Sequence, residues 1–397
     1  MSAASVPVPN AAVTGRRPPP WRDVRVLRIV LQVAFLIALG SLLWWLYSNL
    51  VANMSAQGIR TTFDYLRQPA GFQIRGSPFR SSQSVQDAIY VGARNTAAIA
   101  VVGVVLTTVL GLIAGVARLS RNWLVRKAAG LYVETLRNVP PLLVILFAYL
   151  ALFVKLPRIQ NAFEVPGLLV ISNRELAIAS PVAGDNVGVF ALVVAVAGLV
   201  AAAVWVVRTR AQLRTGHPHH RVAFAIAAMA VIAIPAYVVL DGPVGLSRPA
   251  AGRFRVSGGA EMTVNYAAAL VALVVYTASH IAEIVRGSIL AVPKGQTEAA
   301  TALALTDFQR LRFVVLPQAL RIAIPPTINQ FLNLTKNTSL AVAIAYPELM
   351  RITLITIGNG HPAPQSFVVV MGTYLAFSLA ISLLVNVLNR RLRLVER

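Results

Sequence analysis

Eight nearly uncharged stretches interrupt this chain: Ile29–Leu50, Thr96–Ala117, Leu131–Val154, Gly188–Val207, Val222–Leu240, Met262–Val285, Ala319–Ala345 and Ser366–Leu388. Each reaches the ~20 residues that a helix needs to cross the hydrocarbon core of a bilayer. Between them lie polar links rich in Arg, Pro and Gly, read as loops. The pattern predicts an all-α polytopic membrane protein of about eight transmembrane helices. Pro140-Pro141 is expected to kink the third span, and Pro325-Pro326 to break the seventh. One link departs from the rest. Thr297–Pro317, TEAATALALTDFQRLRFVVLP, is polar, yet Ala300, Ala304, Phe308, Leu311 and Val315 recur at helical spacing. Thr306 and Asp307 can accept from free backbone N–H groups, so a helix that breaks and restarts there is expected. An amphipathic helical hairpin between two spans suits docking onto a soluble partner.

Composition supports the membrane reading. The 397 residues are 57% hydrophobic and 13% charged, and mean hydropathy is +0.68; soluble domains carry about 25% charged residues. A net charge of +22 invites a nucleic-acid reading, but the cations cluster in links flanking apolar spans. Links on the side of the termini hold 23 Lys and Arg against 12 opposite, which places both termini and the 297–317 stretch in the cytoplasm. There is no cysteine, and none of the four lysines follows a glycine, so no phosphate-binding loop of the G-K-[ST] kind exists. His217, His219 and His220 share a link without carboxylate or cysteine and read as a solvated loop rather than a metal site.

Glu298-Ala299-Ala300, a small residue at Ala304, an aliphatic at Val314 and then Leu316-Pro317 resemble the EAA loop of importer permeases of the ABC type. The family pattern has Gly at the position of Ala304 and commonly Ile at that of Val314. VETLRNVPPLL (Val133–Leu143) and RIAIPPTINQFLNLTKNTSL (Arg321–Leu340) resemble the polar amino-acid (His/Glu/Gln/Arg) branch. The resemblance covers about residues 88–154 and 262–390. With FDYLRQPAGF (63–72) ahead of it, the enlarged layout looks like the Q-type permease of general L-amino-acid transport systems.

The resemblance implies a five-helix type I core plus an N-terminal helix and an inserted hairpin. The expected divisions are 1–28, a disordered basic cytoplasmic arm; 29–95, the extra helix and a periplasmic loop; 96–154, the leading segment of the permease core; 155–261, inserted loops and the hairpin; 262–390, the trailing segment of the core with the 297–317 coupling loop; and 391–397, a tail. It also implies a subunit of the bacterial inner membrane that forms the path of an ATP-driven amino-acid importer. Its partners would be a homologous second permease, two ATPase subunits that carry ATP and Mg, a periplasmic amino-acid-binding protein, the amino acid and membrane lipid, with no nucleic acid. No cofactor is expected on this chain.

Three groups of residues carry the expected work. Glu298, Ala299, Ala300, Leu303, Ala304, Asp307 and Phe308 would couple to the ATPase: small residues allow close approach, Leu303 and Phe308 offer apolar contact, and Glu298 would meet an Arg or a helix N-terminus. In span seven, Asn333, Lys336, Asn337, Thr338 and Ser339 interrupt an apolar run. An ammonium there costs about 2.5–3.5 kcal/mol by insertion scales, so it needs a counter-charge or a wet cavity. Two readings stand: Lys336 pairs with Glu134 or Glu283, or it holds a substrate carboxylate. Glu134, Arg137 and Glu283 form either a packing pair or an inner gate. No Ser-His-Asp, paired-carboxylate or zinc spacing suggests catalysis. The competing class is a self-contained secondary transporter or channel, which needs coupling-ion carboxylates within the spans.

Overall fold

The computed structural model describes residues 21, 23–59, 61–216 and 220–392. The chain forms two units, 1–65 with 362–365, and 66–361 with 366–397. In the first, α1 (Val24–Ala56) is a 33-residue helix whose large apolar side chains are exposed. Leading residues 1–20 lie outside the described residues, and with them most of the expected basic arm.

The second unit is built around α2 (Val85–Ala117) and α7 (Val264–Leu290), which run parallel: Gly103 faces Leu270, Gly111 faces Ile281 and Gly115 faces Val285. The buried face of α2 is a stripe of small residues, with Gly92, Thr96, Ala100, Gly103, Thr107, Gly111 and Gly115 among them. Small residues let two backbones approach where lipid tails provide no hydrophobic drive between helices. Thr107 Oγ1 closes the crossing by donating to the Val274 carbonyl, 3.3 Å away. Of the α7 span, 67% is buried, which makes it the centre of the bundle.

α2 begins eleven residues before the expected Thr96. Ser84 and Asp87 form a capping box, with Asp87 N–H donating to Ser84 Oγ and Ser84 N–H to the Asp87 carboxylate, so the helix starts inside the predicted loop. The third span is more than kinked. α3 (Trp123–Arg137) and α4 (Pro141–Phe147), the latter continued by a π turn over Ala148–Phe153, meet at 108°. Neither Pro140 nor Pro141 has an N–H to carry the helix across, and the residue before each is driven out of the helical region.

The loops flanking the hairpin contain strands that the sequence reading lacked. β1 (Phe163–Val165), β2 (Leu169–Ile171), β3 (Glu175–Ile178) and β4 (Ser180–Ala183) precede α5 (Val187–Thr215) and α6 (Arg221–Val239). β5 (Val244–Ser247), β6 (Ala250–Ala251), β7 (Val256–Ser257) and β8 (Ala260–Thr263) follow. They form a four-stranded antiparallel sheet of order β1-β2-β3-β8 and the two-stranded pairs β4-β5 and β6-β7. Strands of two to four residues are too short to show alternation in a sequence.

After α7 come α8 (Lys294–Ala302), α9 (Asp307–Arg310), a π turn over Leu311–Val315, and α10 (Leu316–Asn337). Contrary to expectation, α10 continues through Pro325-Pro326. Adjacent prolines remove donors from a single turn, and transmembrane helices tolerate that loss. The helix changes instead at the polar run, tightening to a 3-10 turn over Thr338–Ile344 that ends at Ala345 with φ +58°. The predicted Tyr346–Gln365 loop holds α11 (Leu349–Gly358), and α12 (Ala363–Leu392) closes the chain. Among the described residues, seven helices are long and apolar enough to span a membrane, or eight with the bent α3–α4 pair, so this is a multi-pass membrane protein.

Candidate functional site

The 297–317 stretch forms two short helices at a sharp corner. α8 ends in a Schellman motif: Leu305 N–H donates to the Ala300 carbonyl and Ala304 N–H to that of Thr301. That motif sets Ala304 at φ +54°, a left-handed conformation that favours glycine. The difference from the family pattern, Ala in place of Gly, therefore has a physical consequence at this corner. Thr306 and Gln309 then form a capping box for α9. Asp307, also expected to accept from the backbone, takes Arg310 at 2.8 Å instead, and Arg310 reaches Thr301 Oγ1 at 3.1 Å. These bonds stitch α9 to α8.

The corner breaks the single apolar face read from the sequence. Ala300 and Val315 are buried, and Val315 packs with Val292 and Ala319. Leu303 is 76% exposed and Phe308 67%. Glu298 and Ala299 are exposed too, and Glu298 makes no ion pair among the described residues. Beside it lies a concavity of about 570 Å³ lined by Thr297, Glu298, Thr301, Ala302 and Arg310. The hairpin thus presents a carboxylate, small residues and two large apolar side chains on a stitched frame.

At the far end of α10, Asn333 and Lys336 are exposed, Asn337 and Ser339 half-buried and Thr338 buried. The hydroxyls already have acceptors: Thr338 Oγ1 donates to the Thr335 carbonyl at 2.7 Å and Ser339 Oγ to that of Lys336 at 2.8 Å. Asn333, Lys336 and Asn337 are therefore the better placed of the five to meet a ligand. Lys336 makes no ion pair among the described residues.

The carboxylates once open to Lys336 are taken by arginines. Glu283 on α7 contacts Arg118 at the end of α2, Arg286 at 2.6 Å and Arg137 at 3.7 Å, while Glu134 lies 3.5 Å from Arg118. Three guanidinium groups and two carboxylates thus tie the ends of α2, α3 and α7. Arg118, 13% exposed, sits deepest. Of the histidines in the α5–α6 link, His220 is exposed, and His217 and His219 lie outside the described residues.

The sequence reading missed Glu348. Its buried carboxylate caps α11, accepting from Met350 N–H at 2.8 Å, Arg351 N–H at 2.7 Å and Tyr374 Oη at 2.9 Å. Asn95 Nδ2 donates to the Pro347 carbonyl at 2.8 Å, and Leu349 N–H to Thr96 Oγ1 at 3.1 Å. These bonds fasten the segment after the polar run to α2. Pro347-Glu348 ahead of an apolar decapeptide was the available signal, a weak one because glutamate is not among the preferred N-caps.

Residues 107–394 match the family of binding-protein-dependent transport system inner membrane components. The General L-amino acid transport system permease protein AapQ of Rhizobium johnstonii is 39% identical, with 94% of each chain covered. The putative amino-acid ABC transporter permease protein YhdX of Escherichia coli is 38% identical over 92% of this chain and 94% of that one. For the glutamate/glutamine/aspartate/asparagine transport system permease protein BztB of Rhodobacter capsulatus the figures are 35%, 94% and 96%. With a match across most of its length and relatives similar nearly end to end, this chain belongs to the family of binding-protein-dependent transport system inner membrane components.

Proposed function

We propose that this chain is the permease subunit of an ATP-driven amino-acid importer in the bacterial inner membrane, with both termini cytoplasmic. It pairs with a homologous permease. Two ATPase subunits bind ATP and Mg and hydrolyse the nucleotide, and an external binding protein delivers the amino acid. The observation that carries this reading is the α8–α9 hairpin, stitched by Arg310 and exposing Glu298, Leu303 and Phe308. A rigid, partly apolar projection between two spans suits capture by a moving subunit. Because it is continuous with α7 and α10, its displacement reaches both the Glu283 cluster and Lys336. ATP binding would close the ATPases, shift the hairpin and open the path to the binding protein.

Within that path, Lys336 holds the substrate carboxylate, with Asn333 and Asn337 adding hydrogen bonds and Thr338 and Ser339 shaping the wall. The exposed ammonium supports this, because both carboxylates that would have made it a structural partner are occupied by Arg118, Arg137 and Arg286. That occupancy also weighs against the secondary-transporter reading, which needs free carboxylates in the spans. Glu134, Arg137 and Glu283 would form the inner gate.

Uptake of labelled amino acids into proteoliposomes tests the proposal, using the chain with its co-purifying subunits. Lys336→Met should cut uptake at least tenfold, about the 1.4 kcal/mol expected of one lost charge-assisted hydrogen bond, while assembly and ATP hydrolysis persist. Uptake at the wild-type rate would reject the role of Lys336. Purification of an active chain without an ATPase would reject the importer itself.

A further inference from the structure

The four-stranded sheet has one face packed and one face bare. Its register aligns Phe163, Ile171, Leu176 and Met262 in one row across the strands, Glu164, Val170, Ala177 and Glu261 in the next, and Val165, Leu169, Ile178 and Ala260 in the third. Successive residues of a strand point to opposite faces, so the first and third rows share one face and the middle row has the other. The middle-row face is covered. Val170 and Ala177 are buried there with Ile159 and Val256. The Glu164 carboxylate accepts from Ala251 N–H at 3.0 Å, and Glu175, on the same face, accepts from Val256 N–H at 3.2 Å. The opposite face is apolar at all eight positions. Phe163, Val165, Ile178 and Ala260 are exposed on it, and Leu169, Ile171, Leu176 and Met262 are half-buried. An antiparallel sheet packed on one side commonly turns polar residues outward, because its second face meets water. This one has no such polarity to offer.

α7 sets the height of the sheet. Val264 precedes Glu283 by 19 residues, about 29 Å at the helical rise, against a hydrocarbon core of ~30 Å. Glu283 and its arginines mark one boundary of the membrane, so Val264 stands at the other. β8 runs into α7 with no residue between them. The remaining ties are nearly as short: residues 154–158 join the π turn to Ile159, 184–186 join β4 to α5, and 240–243 join α6 to β5. A layer tethered to four spans by such links cannot rise clear of the bilayer surface. Its exposed apolar side chains also continue into those of the hairpin. Val182 and Leu246 on β4 and β5 are exposed, as are Val189 and Leu192 at the start of α5 and Val238 and Val239 at the end of α6.

We propose that the bare face of this sheet is seated on the bilayer, with Phe163, Val165, Leu169, Ile171, Leu176 and Ile178 immersed at the level of the lipid glycerols and upper acyl chains. Open sheet edges do not enter the hydrocarbon region, so the seat is shallow. It resembles that of amphipathic elements lying in the plane of the interface. A partner that comes and goes fits the face less well, since transient interfaces are about as polar as the rest of a protein surface. Because β8 continues into α7, the seat fixes the height of that end of the bundle's central helix. The inference is independent of the solute carried and of any ATPase; only the choice of leaflet follows from the orientation proposed above.

The test uses the absence of cysteine from the chain. Ile178→Cys and Phe163→Cys place a label in each row of the bare face, and Glu261→Cys places one on the opposite face. Each variant of the full-length chain, with its co-purifying subunits, is labelled with a small fluorophore. It is then reconstituted in phosphatidylcholine nanodiscs whose acyl chains are either plain or brominated on their upper carbons. The labels at 178 and 163 should lose most of their fluorescence in the brominated lipid, while that at 261 keeps its own. Phe163 lies on the edge strand, so its variant decides the matter if Ile178→Cys fails to fold. Equal quenching on both faces would overturn a face-specific seat. Unquenched labels at 178 and 163, with fast reaction of the free cysteines toward an impermeant maleimide, would show a face open to water. Unquenched labels whose cysteines cross-link to a co-purifying subunit would give the face to a protein partner instead. Slowing of the maleimide reaction only when an external binding protein is added would give it to that protein.

Discussion

Gly115→Ala adds one methyl group where α2 crosses α7. That Cβ would lie 2.8 Å from the Ala282 carbonyl oxygen, 2.8 Å from Val285 Cβ and 2.9 Å from Val285 Cγ1. Favourable carbon contacts sit near 3.5–4.0 Å, so the helices must separate by about 0.7–1 Å. A backbone oxygen and a branched Cβ cannot swing aside. Overpacking of this kind costs about 1–3 kcal/mol, and the better helix propensity of alanine returns about 1 kcal/mol. The net expectation is a loss of up to about 2 kcal/mol. Two companions calibrate it. At Gly103 the new methyl would press on the Leu334 methyl tips, at 3.2 and 3.3 Å, which a small rotation relieves, and would meet Leu270 Cδ1 at an ordinary 3.8 Å. At Gly130 nothing lies within 4 Å. Gly103→Ala should therefore be near neutral, and Gly130→Ala stabilising by up to about 1 kcal/mol. The assay is the monodisperse fraction left after heating the purified complex. Gly115→Ala should melt several degrees lower, at about 2–4 °C per kcal/mol for a large domain. Melting of Gly115→Ala at or above the wild type, or equal damage from Gly130→Ala, would refute the idea that contact at this crossing sets the ranking.

Three further outcomes are expected. Glu298→Lys or Ala300→Asp should weaken co-purification of the ATPase or uncouple hydrolysis from uptake, since one lines the concavity and the other is buried in α8; normal pull-down and uptake in both would exclude a coupling role. Ala304→Gly should relieve the left-handed strain at φ +54° and raise thermal stability by about 1 kcal/mol, read as slower protease cleavage of the 297–317 stretch. Glu283→Gln leaves Arg118, Arg137 and Arg286 facing one another. With the side chain of Glu283 25% exposed, the loss should be about 1–3 kcal/mol, measured as lower yield and melting temperature, and partly restored by adding Arg118→Met.

The spans were legible because apolar runs of the required length leave few alternatives in a chain this poor in charge. The turn at Thr306 was legible because a hydroxyl before a polar helix start is a local signal. The capping box at Ser84 and Asp87 is equally local, but it precedes the apolar run, in a stretch whose polarity alone suggests a loop. What escaped the sequence depended on distance along the chain. Whether Lys336 meets Glu283 depends on two arginines from other segments, at 118 and 137, besides Arg286 one turn along α7. Glu348 matters through Tyr374, which reaches it from across the fold, while the N–H of the next residue, Leu349, donates to Thr96 Oγ1. The 108° corner at 138–140 exceeded the kink read from Pro140-Pro141, because a proline pair tells that a helix stops and not where the next one points.

The pairing of β4 with β5 bears on how such a chain can change length. Ala183 and Val244 are direct partners across that ladder, so the stretch from 184 to 243, with both helices of the hairpin, leaves and re-enters the fold at neighbouring points. Antiparallel partners lie about 4.5–5.5 Å apart, a gap that a two-residue turn closes. In the grammar of the fold the hairpin is a parenthesis. Its bracketing strands would meet as readily around an empty clause, and the helices that hold Glu283 and Lys336 are spelled entirely outside it.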